Sequence, residues 1–128
     1  MKCLIVDDSL IMRRILVNSL HAIGCTEILE APDGEQGLAL CTPDVDLVIT
    51  DWNMPGMAGM GLVRGLRSNP ETAAVGILLV TSCSNKSDVV EAELAGVDSY
   101  VMKPFTPEVL KANIEIVLSK RARTGTDG

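Results

Sequence analysis

The chain is short of positive charge: 11 Lys and Arg stand against 17 Asp and Glu, a formal net charge of −6 over 128 residues. Proteins that hold nucleic acid without sequence preference use clustered Lys and Arg to displace counterions. This balance argues against nucleic acid and for protein partners. Long apolar runs are missing too. Hydrophobic residues make up 47% of the chain, yet no run approaches the roughly 20 residues that span a bilayer, and no membrane association is expected. The first apolar stretch, Cys3-Leu4-Ile5-Val6, is too short for a secretory signal and runs straight into two acids, which points to a cytoplasmic protein. The four cysteines, Cys3, Cys25, Cys41 and Cys83, contain no C-x-x-C pair, so neither a zinc site nor a dithiol redox motif is indicated. They read as small buried hydrophobes. Neither an internal repeat nor an interdomain linker breaks the sequence, and its length suits one domain with a sizeable core.

What the sequence does have is alternation. Five short apolar runs read as strands: Cys3–Val6, Glu27–Ala31, Leu47–Thr50, Ile77–Val80 and Ser99–Met102. Between them lie helical patterns. Ser9 can cap a helix with Met12, Leu16, Leu20 and Ile23 on one face and Gly24 as its stop. Arg13 and Arg14 fall on its early turns, a contact for an acidic partner or, by default, a solvated face. Pro32-Asp33-Gly34 is a turn into a short helix through Leu38 and Leu40, which Thr42-Pro43-Asp44 ends. A third helix is predicted over Met60 to Leu66, weakened by Gly61 and Gly65 at roughly 0.5–1 kcal/mol each. The fourth opens at Ser87 or Asp88, carries Val90 and Leu94 on one apolar face and closes at Gly96. Thr106 and Pro107 start the last helix, which buries Leu110, Ile114, Val117 and Leu118. The domain is expected over residues 1–121, with 122–128 a disordered tail. Strands alternating with helices at spacings too long for hairpins give an α/β fold, a parallel sheet covered on both faces.

The strand ends carry the chemistry. The first apolar run stops at Asp7-Asp8, the third at Asp51 before the Pro55-Gly56 turn, the fourth at Thr81 and the fifth at Lys103. In a parallel sheet all carboxyl ends share one edge, where ligands bind, so residues distant in sequence can meet there. Three converging carboxylates cannot all stay ionised without a cation or a proton. A hard divalent ion such as Mg²⁺ suits oxygen ligands and keeps a position open for a phosphoryl oxygen. Lys103 adds a point positive charge, Thr81 a hydroxyl, and Asp51 a nucleophile.

Val6-Asp7-Asp8-Ser9 with Met12-Arg13-Arg14, Asp51-Trp52-Asn53-Met54-Pro55, Val80-Thr81 and Tyr100-Val101-Met102-Lys103-Pro104-Phe105 together resemble the receiver domains of response regulators, in particular the stand-alone receivers of chemotaxis. The similarity spans nearly all of residues 2 to 120. It implies a flavodoxin-like (βα)5 doubly wound sheet with strand order 2-1-3-4-5. It also implies phosphorylation of Asp51 by a CheA-like histidine kinase, with Asp8, Asp51 and the main-chain carbonyl of Asn53 on Mg²⁺ and Asp7 acting mainly through water. Lys103 would pair with the phosphoryl group, Thr81 would move to hydrogen-bond it, and Tyr100 would follow inward to reshape the surface of the fourth helix, fifth strand and fifth helix. A cis Lys103-Pro104 bond is implied as well. The expected product is a monomeric cytoplasmic switch, not a turnover enzyme, that meets a downstream protein such as the flagellar motor switch and possesses a phosphatase as a possible further partner. Trp52 is expected to be a partly exposed loop aromatic. Cys83, two residues past Thr81, either affects the access of hydrolytic water or merely packs.

Other functions meet obstacles in the same residues. A phosphatase of the haloacid dehalogenase kind needs a second acid two positions after its nucleophile, and here that position is Asn53. A flavin or nucleotide module cradles phosphate in glycine- or hydroxyl-rich loops, whereas the loop after the first strand is acidic. A receiver serving only as a docking domain would not need the intact Asp51, Thr81 and Lys103. Relatives commonly carry Asp-Gly where this chain has Ala58-Gly59, which removes a possible helix cap but leaves the phosphorylation set complete.

Overall fold

A computed structural model describes residues 1–52, 59–82 and 86–127, with side chains for all of these except 86–88 and 121–127. The strands are β1 (Lys2–Val6), β2 (Glu27–Ala31), β3 (Leu47–Thr50), β4 (Gly76–Thr81) and β5 (Ser99–Met102). The helices are α1 (Leu10–Ala22), α2 (Gly34–Leu40), α3 (Gly59–Ser68), α4 (Lys86–Ala95) and α5 (Pro107–Asp127). All strand pairs are parallel, in the order β2-β1-β3-β4-β5. None of the helices is long and apolar enough to cross a membrane, among the described residues.

The strands read as continuous apolar runs because both of their faces are covered. Successive side chains point to opposite faces, so Leu4 and Val6 join Val48, Ile77 and Leu79 in one core cluster, with Leu62, Val63 and Leu66 of α3 and Ala92 of α4. Cys3 and Ile5 join Leu47, Ile49, Leu78, Val80 and Val101 in the other, under Leu16 and Leu20 of α1 and Leu110, Ile114 and Val117 of α5. Each Val, Leu or Ile among them contributes about 1.5–3 kcal/mol on burial. Two helix ends fix the angle at which the chain returns to the sheet. Gly24 and Gly96 take φ of +93° and +117°, conformations that suit glycine. The amides that follow, of Cys25 and Val97, reach back to the carbonyls of Leu20 and Ala92, closing a Schellman cap at each end.

Several expectations need correction. Val90 and Leu94 are not core residues: they are 53% and 83% exposed, while Ala92 is buried. The cap that seats Val97 beneath α4 also turns Ala92 inward, and residues two positions either side of an inward residue point away from the sheet. Trp52 is 7% exposed and lies within the core cluster that α3 covers, because Gly59 brings the start of α3 directly back over the strand end. The last helix extends through Asp127, past the predicted tail boundary, since Lys120, Arg121, Ala122 and Arg123 are good helix formers and propagation needs no apolar face. Gly65 in α3 sits where a Cβ would stand 3.1 Å from Leu38 of α2, so this glycine permits close helix packing.

Candidate functional site

Backbone pairing at the carboxyl edge of the sheet places Asp7, Asp51 and Lys103 one step beyond their strands. The amide of Asp7 donates to the Ala31 carbonyl at 3.1 Å, and that of Asp51 to the Val6 carbonyl at 3.1 Å. The amide of Lys103 donates to the Thr81 carbonyl at 2.8 Å. β5 is thereby tied to β4, β3 to β1 and β1 to β2 at the level where the side chains converge. The Lys103-Pro104 peptide is cis, as the resemblance implies.

The carboxylates of Asp7, Asp8 and Asp51 each offer an oxygen within 4.8 Å of the others. Lys103 Nζ reaches between two of them, at 3.1 Å from Asp7 Oδ2 and 3.1 Å from Asp51 Oδ2. Asp7 is almost wholly buried, its second oxygen accepting from the Ser9 amide at 2.8 Å, whereas Asp8 is exposed. Burial alone would lower the pKa of Lys103. Hydrogen bonding and charge from Asp51, then from Asp7, outweigh that and hold it above the ordinary lysine value.

The backbone of Asp51 is held from two sides. Its carbonyl accepts from Thr50 Oγ1 at 2.9 Å, and a Cβ at Gly59 would collide with that same oxygen. Only a residue without a side chain lets α3 begin here, with the Gly59 amide on the Trp52 carbonyl at 3.0 Å. In the sequence Gly59 stands out only as the neighbour of a missing acid, yet a glycine soon after a Pro-Gly turn is a signal for close backbone approach.

Asp7, Asp8, Asp51 and Lys103 are therefore brought together, and Thr81 lies buried at the adjacent strand end. Tyr100 is not part of this cluster: it lies on β5, 40% exposed. Asn53, Ala58 and Cys83 lie outside the described residues. Arg13, read from sequence as a solvated side chain, is instead engaged, with Nη1 on the Asp7 carbonyl at 2.6 Å and Nε 3.3 Å from Glu30 Oε1.

The carboxylate set fits a small hard cation. Ligands on Mg²⁺ stand no more than about 4.2 Å apart, twice its metal–oxygen distance; these oxygens all lie within 4.8 Å of one another, and all are of the charged oxygen type that such an ion prefers. An acidic pocket of this kind is a general feature of receivers.

Comparison with known proteins agrees with the geometry. The family model of the response regulator receiver domain matches residues 3–115. Chemotaxis protein CheY1 of Helicobacter pylori is 43% identical over 120 residues, covering 92% of this chain and 97% of that protein. A CheY homolog of Campylobacter jejuni is 44% identical over 127 residues, 98% of each. Among solved structures, CheY4 of Vibrio cholerae matches with a TM-score of 0.83 at 32% identity, over 91% of this chain and 98% of that one. The chain belongs to the response-regulator receiver family, whose members signal through phosphorylation, and is homologous to the CheY chemotaxis regulators.

Proposed function

We propose that this protein is a chemotaxis switch that takes a phosphoryl group on Asp51 from the phosphohistidine of a CheA-like histidine kinase. The observation that carries the reading is Lys103 Nζ bridging Asp7 and Asp51, with Asp8 completing the acidic cluster. Asp8 and Asp51 would hold Mg²⁺, with the Asn53 main-chain carbonyl as the further ligand that the family resemblance implies, and Asp7 would act mainly through a water. When bound, the ion neutralises phosphoryl oxygens and screens the carboxylates from the incoming anion.

In the transfer, an Asp51 carboxylate oxygen forms a bond to phosphorus as the P–N bond to the donor imidazole breaks. The electron pair of that bond stays on the imidazole nitrogen. Lys103 offsets the charge on the phosphoryl oxygens, and Thr81 supplies a hydroxyl donor to one of them once it moves toward the group. The same pocket admits the water that later hydrolyses the acyl phosphate, so turnover is limited to the protein's own phosphorylation cycle. Tyr100 on β5 and Val90 and Leu94 on α4 present exposed apolar surface, which supports a protein target such as the flagellar motor switch. Movement of Tyr100 inward after Thr81 would alter that surface and link the phosphorylated state to binding.

Incubation with acetyl phosphate and Mg²⁺ should add the mass of one phosphoryl group to the intact protein, and Asp51→Asn should abolish the gain. Labelling that persists in Asp51→Asn rejects the assignment.

A further inference from the structure

We infer that Arg13 is a positioning residue for the cation site, acting through the main chain of Asp7; the inference rests on the proposed role of the acidic cluster. β1 ends between β2 and β3, and its last pairings use the Val6 carbonyl, which accepts from Asp51, and the Asp7 amide, which donates to Ala31. The Asp7 carbonyl lies one step past this ladder. Arg13 Nη1 supplies a donor to it at 2.6 Å from the first turns of α1, while Nε faces Glu30 Oε1 at 3.3 Å near the end of β2. The guanidinium is largely enclosed, with 15% of its side chain exposed. Its rigid fork of donors therefore braces three elements at once.

The consequence follows from peptide planarity. The Asp7 carbonyl and the Asp8 amide belong to one rigid unit, so fixing the carbonyl oxygen fixes the direction in which the chain enters Asp8. Asp8 is the exposed member of the carboxylate cluster, and an exposed side chain has the least packing of its own to orient it. Asp7, by contrast, is held by Ser9 and Lys103 as well. Arg13 thus orders the cation ligand that most needs ordering. Its positive charge opposes cation binding, but the Glu30 carboxylate paired with it largely cancels that field, so orientation decides the sign.

Partners that orient metal ligands from behind typically change affinity by 10–100-fold when removed. Mg²⁺ titrations of the full chain, read by calorimetry and by emission of Trp52 beside Asp51, should show wild type binding and Arg13→Ala binding about 10-fold more weakly. At saturating Mg²⁺ the variant should regain the wild-type rate of phosphorylation by acetyl phosphate, since the reacting groups are intact. Arg13→Lys, which keeps a donor and the charge, should recover part of the affinity and guards against a folding defect in the alanine variant. Glu30→Gln leaves the bond to Asp7 and unpairs the Arg13 charge, so its loss of affinity should be smaller than that of Arg13→Ala and should fade at high salt. A loss in Glu30→Gln as large as that in Arg13→Ala, or wild-type affinity in Arg13→Ala, overturns the inference and leaves the phosphorylation reading standing. Failure of the wild-type protein to bind Mg²⁺ overturns both.

Discussion

Neutralising Asp8 should make the protein more stable and less able to use its cation. Asp7, Asp8 and Asp51 place oxygens within 4.8 Å of one another, and the ammonium of Lys103 offsets one of the three charges. Asp8 therefore faces a net charge near −1. Two unit charges about 5 Å apart repel by roughly 0.8 kcal/mol in a water-like dielectric and about fourfold more at an effective constant of 20. Because Asp8 is exposed, the lower figure governs, and Asp8→Asn should stabilise the protein by about 1 kcal/mol in EDTA, raising Tm by roughly 3 °C for a chain of this size. Mg²⁺ reverses the order. At a hundredfold excess over Kd a ligand adds about 2.7 kcal/mol to the protein that binds it, roughly 8 °C for wild type, and little to a variant deprived of a ligand. Calorimetric melts in EDTA and in graded Mg²⁺ should cross, and high salt should shrink only the EDTA difference. A variant that melts below wild type in EDTA, or curves that never cross, refutes the charge argument.

Gly59→Ala should cost about 1–3 kcal/mol and slow phosphorylation, since the added carbon meets main-chain atoms of Asp51 and Trp52 that cannot turn aside; unchanged melting and kinetics would show that α3 has room to retreat. The raised pKa of Lys103 gives a contribution to stability that is present below the unfolded-chain value near 10.4 and lost as pH rises through the higher folded value. Urea titrations should therefore show wild type losing stability above about pH 10 more steeply than Lys103→Met, and parallel profiles would refute the pairing. Cys3 and Cys25 are fully buried with sulfurs 3.1 Å apart, and burial followed by the neighbouring Cys25 thiol pushes the Cys3 thiol well above its ordinary value. Iodoacetamide at neutral pH should leave both unmodified until urea unfolds the chain; native labelling at the unfolded rate would contradict the packing.

The strand ends were legible because a buried parallel strand leaves a distinct trace, an apolar run cut off by a polar residue, and four such cuts carried Asp7, Asp51, Thr81 and Lys103. Strand order was not legible from that pattern, which fixes the handedness of a crossover but not the side to which each strand is added; it came from the family resemblance. The inward face of α4 was misread because Val90 and Leu94 make a plausible stripe on their own, while the choice of Ala92 depends on how Val97 is seated beyond the helix. Trp52 and Arg13 failed for a related reason. Local periodicity says which way a side chain leaves its own element, and says nothing of a second element folding over it or of a strand-end carbonyl waiting for a donor.

That division explains why a destabilising cluster can persist. The pairings that bring the acids together, Asp51 to Val6, Asp7 to Ala31 and Lys103 to Thr81, are main-chain bonds set by a register that the two core clusters enforce. A one-residue slip of β3 would exchange the faces of Val48 and Ile49 and expose both sets of contacts. A single leucine such as Leu62 or Leu110, fully buried, contributes about 1.5–3 kcal/mol, more than the net repulsion at Asp8. The sheet can therefore hold like charges at its edge without their mutual consent, and binding a cation there relaxes a strain that the core, not the site, sustains.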